Sequence, residues 1–222
     1  LITVEDPVEY MLAGINQVMV NEEINLTFSN ALRSILRQAP NIIMVGEIRD
    51  TITAEIATQA AMTGHLVFST LHTNDAPSAI TRLIDMGVKP FLVASAVMGV
   101  MAQRLVRTIC KNCKVEYTPD PQLIRTLRLD PAEVAKKTWV HGGGCDQCNN
   151  TGYRGRKGIF EIMVVNDEIR HLIYQCVPAN IIRATARKSR SMRSLREDGL
   201  AKAELGITTL EEVLANTVTD ID

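Results

Sequence analysis

The chain has 222 residues, of which 46% are hydrophobic and 22% charged, with a formal net charge of -1 and a pI near 6.5. This length fits one large domain, or one mid-sized domain with small additions, around a core of ordinary size. The near-neutral charge gives no global reason to bind nucleic acid or an acidic membrane, and no apolar run approaches the roughly 20 residues that span a bilayer. The start of the chain lacks the layout of a secretory signal, so we expect a cytoplasmic protein.

The first residues predict a strand followed by a cluster of acids. Leu1 to Val4 already has the pattern of a strand, so we expect the chain to begin inside a fold and to be part of a longer protein. Glu5, Asp6 and Glu9 then surround a proline that stops the strand. Clustered carboxylates repel one another unless a cation lies among them, and such a cluster can hold a water for attack. An ordinary acidic loop remains the alternative.

The most informative stretch runs from Ile42 to Asp50, with the sequence IIMVGEIRD. Four apolar residues without alternation predict a strand buried on both faces, and Glu47 follows at its carboxyl end, where open α/β sheets bind ligands. An unpaired carboxylate is costly to bury, so Mg²⁺ is a natural partner and the stretch resembles a Walker B strand. The alternative is a core strand followed by a surface glutamate.

Two predicted helices flank this strand, and a second buried strand follows. The helices are Leu26 to Gln38 and Thr51 to Met62, the latter capped by Asp50 and stopped by Gly64. A buried strand centred on Leu66 to Phe68 would complete a β-α-β unit of a parallel sheet. His65 and His72 lie at the two ends of this strand, where each is either structural or part of a crevice.

Further helices are predicted over Ala76 to Met86 and Phe91 to Arg104. Met98 and Met101 have helical spacing within the second of these, which favours core packing over a cofactor site.

Four of the five cysteines form two Cys-x-x-Cys pairs, Cys110 with Cys113 and Cys145 with Cys148. Two such turns complete a tetrahedral four-thiolate site suited to Zn²⁺, and a filled coordination shell makes the zinc structural. A redox dithiol at Cys110 and Cys113 is the weaker alternative. Cys176 stands alone in a helical pattern, so we expect it to be buried.

The last third of the chain is predicted to contain the strand Ile159 to Val164 and then helices from Asp167 onward. Ser194 with Glu197, and Thr208 with Glu211, are candidate capping boxes. A local basic cluster is expected to be a solvated face, with a subunit or lipid contact as the alternative; its members are Arg183, Arg187, Lys188, Arg190, Arg193 and Arg196.

Taken together, these motifs resemble those of the secretion ATPases that drive type II secretion and type IV pili. Thr3 to Glu9 is similar to the family's Asp box, Ile42 to Asp50 to its Walker B box, and Thr63 to Ala76 to its His box. The tetracysteine module and the run from Gly152 to Glu161 are similar to the type II secretion ATPase and the pilus-assembly ATPase. The pilus-retraction ATPase lacks the module and is a poorer match.

The resemblance implies an α/β fold with a RecA-like, mostly parallel sheet that is truncated at its N-terminal side. Residues 1–109 would form the ATPase core, 110–150 the inserted zinc module, and 151–222 a C-terminal strand and helical region. The family implies a homo-hexamer at the cytoplasmic face of a bacterial inner membrane, working with the platform protein and with membrane proteins that have cytoplasmic domains.

The resemblance also implies roles for individual residues. Glu5 would activate the attacking water, and Glu47 would hold Mg²⁺ directly or through water. His65 and His72 would sense the γ-phosphate of ATP. The remaining residues implied at the nucleotide and metal site are Asp6, Glu9 and Arg49. Phosphoryl transfer needs such positioning and charge stabilisation in one crevice.

One element of the family is missing from this sequence. The phosphate loop Gly-x-x-x-x-Gly-Lys-Ser/Thr is absent, because lysine nowhere follows glycine. In the family this loop lies upstream of the Asp box, so we expect the 222-residue chain alone neither to bind ATP tightly nor to hydrolyse it. A zinc-stabilised assembly or docking module with vestigial catalytic boxes is the alternative function.

Overall fold

The structure, a computed structural model, describes residues 1–217. It divides into two compact units. Unit 1 comprises Leu1–Val100 and Met163–Ser191, and unit 2 comprises Met101–Ile162 and residues 192–217 of the described chain. The predicted division into residues 1–109, 110–150 and 151–222 stays a prediction, since compact packing does not mark functional segments.

The secondary structure alternates between strands and helices along the first hundred residues. The strands are β1 (Ile2–Glu5), β2 (Asn16–Met19), β3 (Ile42–Val45), β4 (Leu66–Ser69), β5 (Gly99–Ile109), β6 (Lys114–Tyr117), β7 (Trp139–Gly142), β8 (Tyr153–Val164) and β9 (Met192–Arg193). The α-helices are α1 (Phe28–Leu36), α2 (Thr51–Met62), α3 (Ala76–Asp85), α4 (Pro90–Ala96), α5 (Pro121–Thr126), α6 (Pro131–Ala135), α7 (Asp167–Tyr174), α8 (Ala179–Lys188), α9 (Leu195–Glu204) and α10 (Leu210–Asn216). Short 3-10 helices span Glu22–Ile24 and Asp146–Cys148.

Unit 1 is built on a parallel sheet with the strand order β2-β1-β3-β4. Val4 pairs with Val18 on one side and with Val45 on the other, and Val45 pairs in turn with Ser69. All four carboxyl ends therefore meet at one edge of the sheet. The predicted α/β fold with a parallel sheet is confirmed.

The helices of unit 1 begin where the sequence supplies a capping side chain. The Asp50 carboxylate accepts hydrogen bonds from the backbone N–H and the hydroxyl of Thr53, both at 2.8 Å, so that α2 starts directly after the residues that follow β3. Asp75 caps α3 in the same way through the N–H of Ser78 at 2.9 Å. Such caps each contribute roughly 1 kcal/mol and fix the segments between sheet and helix.

The two strands predicted to be buried on both faces differ in their burial. Ile43 and Val45 of β3 are fully buried, while Ile42 and Met44 on the other face are half-buried. β4 is mostly exposed, with Phe68 at 55%. The prediction that β4 is buried on both faces is therefore wrong. Within residues 1–217, β4 is the last strand of the sheet and has a neighbouring strand on one side only.

The helix predicted from Phe91 to Arg104 is also wrong in its second half. α4 ends at Ala96, Val97 is extended, and β5 begins at Gly99. Met98 and Met101 are consequently exposed rather than part of the core. A glycine lowers helix propensity, and the residues after it alternate between exposed and half-buried positions with the period of a strand.

Unit 2 contains most of β5 and β8, which form a sheet with the order β5-β8-β9, and the antiparallel pair β6 and β7. One hydrophobic cluster joins the segment between the cysteine pairs to α9 and α10. Its buried members are Ile124, Leu127, Val134, Trp139, Ala203, Leu210 and Val213. The Trp139 indole N–H also donates to the carbonyl of Val134 at 3.0 Å. The cysteine-bearing segment thus shares a core with the C-terminal helices.

Three smaller expectations about the C-terminal third are corrected, while the Ser194–Glu197 capping box is confirmed. Cys176 is exposed and has a positive φ of 55°, so it is not a core residue. The cap of α10 is Thr209 rather than Thr208, whose hydroxyl donates to the Arg107 carbonyl instead. In the basic cluster, Arg196 is buried, which contradicts a fully solvated face.

Among residues 1–217, no helix is both long enough and apolar enough to cross a bilayer.

Candidate functional site

The predicted acids and one predicted histidine gather at the carboxyl edge of the parallel sheet in unit 1. Glu5 ends β1, Glu47 comes two residues after β3, and His72 follows β4. β1 and β3 are direct neighbours, as are β3 and β4. Parallel pairing therefore places the three residues at the same end of adjacent strands, which is where open α/β sheets bind ligands.

Gly46 lets the end of β3 lie against the backbone of Glu5. Its N–H donates to the Val4 carbonyl at 2.7 Å. A Cβ atom at this position would lie 3.1 Å from the Val4 oxygen and 3.3 Å from the Cα of Glu5. Both contacts are tighter than most Cβ atoms make, so glycine favours the close approach that brings the segments carrying Glu5 and Glu47 together.

Thr70 joins the segment after β4 to the segment after β3. Its hydroxyl donates to the Gly46 carbonyl at 2.7 Å, and its own carbonyl accepts the N–H of Ile48 at 3.1 Å. These two hydrogen bonds extend the pairing of β3 and β4 beyond the regular strands. They hold the loop that carries His72 next to Glu47.

The Glu47 carboxylate is held by two basic side chains. The Arg49 guanidinium lies 2.5 Å from one oxygen, and His72 Nε2 lies 3.0 Å from the other. Glu47 is 13% exposed, whereas Arg49 and His72 are 62% and 83% exposed. The hydrogen bonds from His72 and Arg49 hold the pKa of Glu47 below its ordinary value, and Glu47 raises the pKa of Arg49 in return. Glu47 is therefore ionised at neutral pH.

Glu5 is met by neutral donors instead. Thr3, two residues earlier on the same face of β1, donates its hydroxyl to Glu5 Oε1 at 2.5 Å. Gln17 of the neighbouring strand β2 donates its amide N–H to the same oxygen at 3.0 Å. Neither residue was predicted as functional, because their proximity depends on the register of two strands that the sequence pattern does not specify.

The other predicted residues of this site are more exposed or lie elsewhere. Asp6 and Glu9 are exposed on the loop after β1. Within residues 1–217, the acids of this edge do not form a group of three or more converging ligands. His65 precedes β4, at the opposite end of the strand from His72, and its Nδ1 lies 3.1 Å from the Ala60 carbonyl near the end of α2.

The four paired cysteines of unit 2 converge on one point. Their sulfur atoms all lie within 4.8 Å of one another, with Cys110 to Cys145 at 3.9 Å, Cys113 to Cys148 at 3.8 Å and Cys145 to Cys148 at 3.7 Å. This cluster could hold a metal ion.

Neighbouring groups favour the anionic form that binds metal at Cys145 and Cys148, whereas burial raises the pKa of Cys113 to about 12. The Asn112 amide donates to Cys145 Sγ at 3.3 Å and lowers the pKa of Cys145 to about 6. The backbone N–H groups of Cys145 and Gly152 point at Cys148 Sγ, each at 3.3 Å. Gly152 and Gly142 pack so closely that a Cβ on Gly142 would overlap the Gly152 carbonyl. The two glycines allow the segments before and after the Cys145–Cys148 turn to lie against each other.

Comparison with known proteins places these features in a family. The family model described as "Type II/IV secretion system protein" matches residues 1–215. The "Type IV pilus assembly ATPase PilB" of Thermus thermophilus is 58% identical over 216 residues, which are 97% of this chain and 24% of the relative. The "Type II secretion system protein HxcR" of Pseudomonas aeruginosa is 52% identical over 217 residues, covering 98% of this chain and 42% of the relative.

A solved structure shares the same fold. It is described as the "Crystal Structure of the Pilus Retraction Motor PilT and Bound ADP", and it matches 99% of this chain and 53% of its own with a TM-score of 0.70 and 27% sequence identity. The chain spans less than half of the length of both curated relatives.

Proposed function

The chain belongs to the Type II/IV secretion system protein family, and on that premise we propose that it is the C-terminal part of a hexameric ATPase that powers type II protein secretion. The observation that carries the proposal is the group of side chains at the carboxyl ends of the parallel strands in unit 1. Glu5, Glu47 and His72 follow three adjacent parallel strands there, and Glu47 is kept ionised by Arg49 and His72.

The proposed roles at this edge follow from the partners of each residue. Glu47 is the ligand for Mg²⁺, directly or through water, since a partly buried carboxylate supplies the hard oxygen that Mg²⁺ prefers. Glu5 accepts the proton of the attacking water, and Asp6 and Glu9 add negative charge to the same loop. Arg49 and His72 are exposed cations or donors beside Glu47, where they can turn to the phosphates of ATP.

His65 has a separate place in the proposal. His65 lies at the opposite end of β4 from His72, so the two histidines of one subunit would not contact the same phosphate. We propose that His65 instead faces the ATP of a neighbouring subunit in the ring. Its role as a γ-phosphate sensor is therefore proposed to be exerted across subunits.

We propose that Cys110, Cys113, Cys145 and Cys148 hold a structural Zn²⁺. Four sulfurs at about 2.3 Å from zinc are separated by about 3.8 Å from one another in a tetrahedron. Three of the six sulfur pairs lie at 3.7, 3.8 and 3.9 Å, which fits this geometry, and all six lie within 4.8 Å. Because all four positions would be filled by thiolates, the zinc stabilises the fold and does not activate water. Residues 110–150 would then be a zinc module between the ATPase core of residues 1–109 and the C-terminal region of residues 151–222.

The full-length protein is proposed to form a homo-hexamer at the cytoplasmic face of a bacterial inner membrane. Its partners would be the inner-membrane platform protein and membrane proteins with cytoplasmic domains, and it would use ATP, Mg²⁺ and Zn²⁺. Nucleic acid is not a proposed partner.

A type IV pilus-assembly motor is the second candidate. It is favoured by the 58% identity to a pilus-assembly ATPase, against 52% for a type II secretion protein. Deletion of the gene distinguishes the two candidates: loss of exoprotein release supports type II secretion, and loss of surface pili with normal release supports pilus assembly.

The decisive biochemical experiment compares the full-length protein with the 222-residue chain. We expect Mg²⁺-dependent ATP hydrolysis by the full-length protein, its loss in Glu5→Gln and Glu47→Gln, and no turnover by the chain alone, which has no Gly-Lys pair for a phosphate loop. An upstream sequence without Gly-Lys-Ser/Thr after a strand would favour a non-catalytic zinc-stabilised docking module. A measurement of one zinc per chain with four protected thiols would exclude a redox role for Cys110 and Cys113.

A further inference from the structure

The side chain of Gln17 lies between the Glu5 carboxylate and the acidic loop that follows it. Gln17 is on β2, where it pairs with Thr3 of β1. Its Nε2 donates to Glu5 Oε1 at 3.0 Å and also to the Tyr10 carbonyl at 3.1 Å. Its Oε1 accepts the N–H of Leu12 at 2.8 Å. One amide thus links the end of β1 to the middle of the loop, at Tyr10 and Leu12.

This network fixes the orientation of the amide. An amide has a donor end and an acceptor end, and the loop uses both: a carbonyl faces the NH₂ group and an N–H faces the oxygen. Turning the amide over would break both contacts with Tyr10 and Leu12. The donor end of Gln17 is therefore directed at Glu5 by the fold of the loop.

The hydrogen bonds leave the two oxygens of Glu5 unequal. Oε1 accepts from both the Thr3 hydroxyl and the Gln17 amide, while Oε2 accepts no hydrogen bond within residues 1–217. Two bonds to one oxygen restrict rotation of the carboxylate. The remaining oxygen then has a fixed direction at the carboxyl edge of the sheet.

We propose that Gln17 is a positioning residue that holds Glu5 so that Oε2 faces the attacking water; the inference rests on the proposed ATPase function. In the reaction, the water oxygen forms a bond to the γ-phosphorus and its proton passes to Oε2. The bond from the γ-phosphorus to the bridging oxygen breaks, and its electron pair stays on the released ADP. A water-orienting group acts only when its geometry is held closely, and small misplacement costs up to about 100-fold in rate.

The test uses the full-length protein with the variants Gln17→Met and Gln17→Glu. Methionine has the same length and removes all three polar contacts. Glutamate keeps the acceptor for Leu12 but replaces the donor beside Glu5 by a like charge. We expect kcat for ATP hydrolysis to fall roughly 10- to 100-fold in both variants, with KM and the affinity for a non-hydrolysable ATP analogue changed less than about 2-fold.

A double variant separates positioning from a general structural role. If Gln17 acts through Glu5, Gln17→Met should not lower further the residual single-turnover rate that remains in Glu5→Gln, because the effects of two residues acting as one unit are not additive. Gln38→Glu is the matched control. Gln38 is exposed near the end of α1, outside this network, so the same substitution there should leave kcat unchanged.

The outcomes distinguish this inference from the proposed function. Full activity in Glu5→Gln would overturn the role of Glu5 and the inference with it. Loss of activity in Glu5→Gln together with full activity in both Gln17 variants would overturn the inference alone. A raised KM, a further loss in the double variant, or failure of both Gln17 variants to fold in thermal melts would show that Gln17 is structural and would also overturn it.

Discussion

Replacing Glu212 by glutamine should lower the free energy of unfolding of unit 2 by about 2 kcal/mol at pH 7. The Glu212 carboxylate on α10 accepts hydrogen bonds from the Arg107 backbone N–H at 2.8 Å, from Nε at 2.9 Å and from Nη2 at 2.7 Å. Breaking a fully buried pair of this kind costs about 3–5 kcal/mol. Glu212 is only 8% exposed, but Arg107 is 56% exposed, so water screens the pair and reduces the loss.

The pH dependence follows from the partners of Glu212. Burial opposes its ionisation, but the hydrogen bonds from the Arg107 side chain and backbone outweigh this and hold the pKa of Glu212 below its ordinary value. The folded pKa is thus lower than the unfolded pKa of about 4.3. The stabilisation is present in full above that value and is lost as the pH falls through the folded pKa. The difference between wild type and variant should therefore shrink between pH 7 and pH 3.

Urea titration followed by tryptophan fluorescence measures this change in unit 2 alone. Trp139 is the only tryptophan in the sequence, and it is buried in the core cluster that includes Val213 of α10. Glu116→Gln is the matched control, because Glu116 is an exposed glutamate on β6 of unit 2 and should contribute less than about 0.5 kcal/mol. Equal losses in the two variants, or an undiminished difference at pH 3, would refute the reasoning.

Three further predictions concern the two candidate sites. Removal of the metal by a chelator, or Cys148→Ser, should shift Trp139 emission to longer wavelength, because structural zinc contributes about 10 kcal/mol or more and the cysteine segment shares the tryptophan's core; an unchanged spectrum after metal loss would contradict this. Gly46→Ala in the full-length protein should lower kcat more than about 10-fold, since the added Cβ would lie 3.3 Å from Glu5 Cα, and a fully active variant would show that the close approach is dispensable. His72→Ala should reduce steady-state ATP hydrolysis at least about 10-fold more than His65→Ala, because of the two histidines only His72 contacts Glu47. Each variant is assayed as a preparation that contains no wild-type subunits, and equal losses would count against a site centred on Glu47.

The sequence predicted the parallel sheet of unit 1 because its strands are short β-branched runs separated by capped helices. It failed at β5 for a physical reason. Met98, Met101 and Leu105 are spaced three and four residues apart and so match a helical face, yet the odd positions from Gly99 to Arg107 are also the exposed face of a strand. When a run fits both the helical and the strand period, its structure depends on the segment that pairs with it. Here that segment is β8, which lies elsewhere in the sequence and is not part of the local pattern.

The candidate site shows the same division between local and tertiary information. Glu5 and Glu47 were predicted because each follows a strand directly in the sequence. Gln17 was not, because its contact with Glu5 depends on the pairing of β1 with β2 and on the fold of the loop between them. Likewise, the four cysteines were predicted from their spacing, whereas the shared core with α9 and α10 requires side chains about 70 residues further along the chain to be in place.

The different partners of the two glutamates match the different chemistry proposed for them. A metal ligand has to remain ionised, and the exposed cation Arg49 and the imidazole of His72 favour that state in Glu47. Both side chains are exposed, so they can move away from the carboxylate when Mg²⁺ binds to it. A group that takes a proton from water is hindered by a fixed positive charge beside it, and Glu5 is held by a hydroxyl and an amide, both of which are neutral. The two carboxylates at one edge of the sheet are therefore suited to separate steps: Glu47 to binding of the metal, and Glu5 to activation of the water.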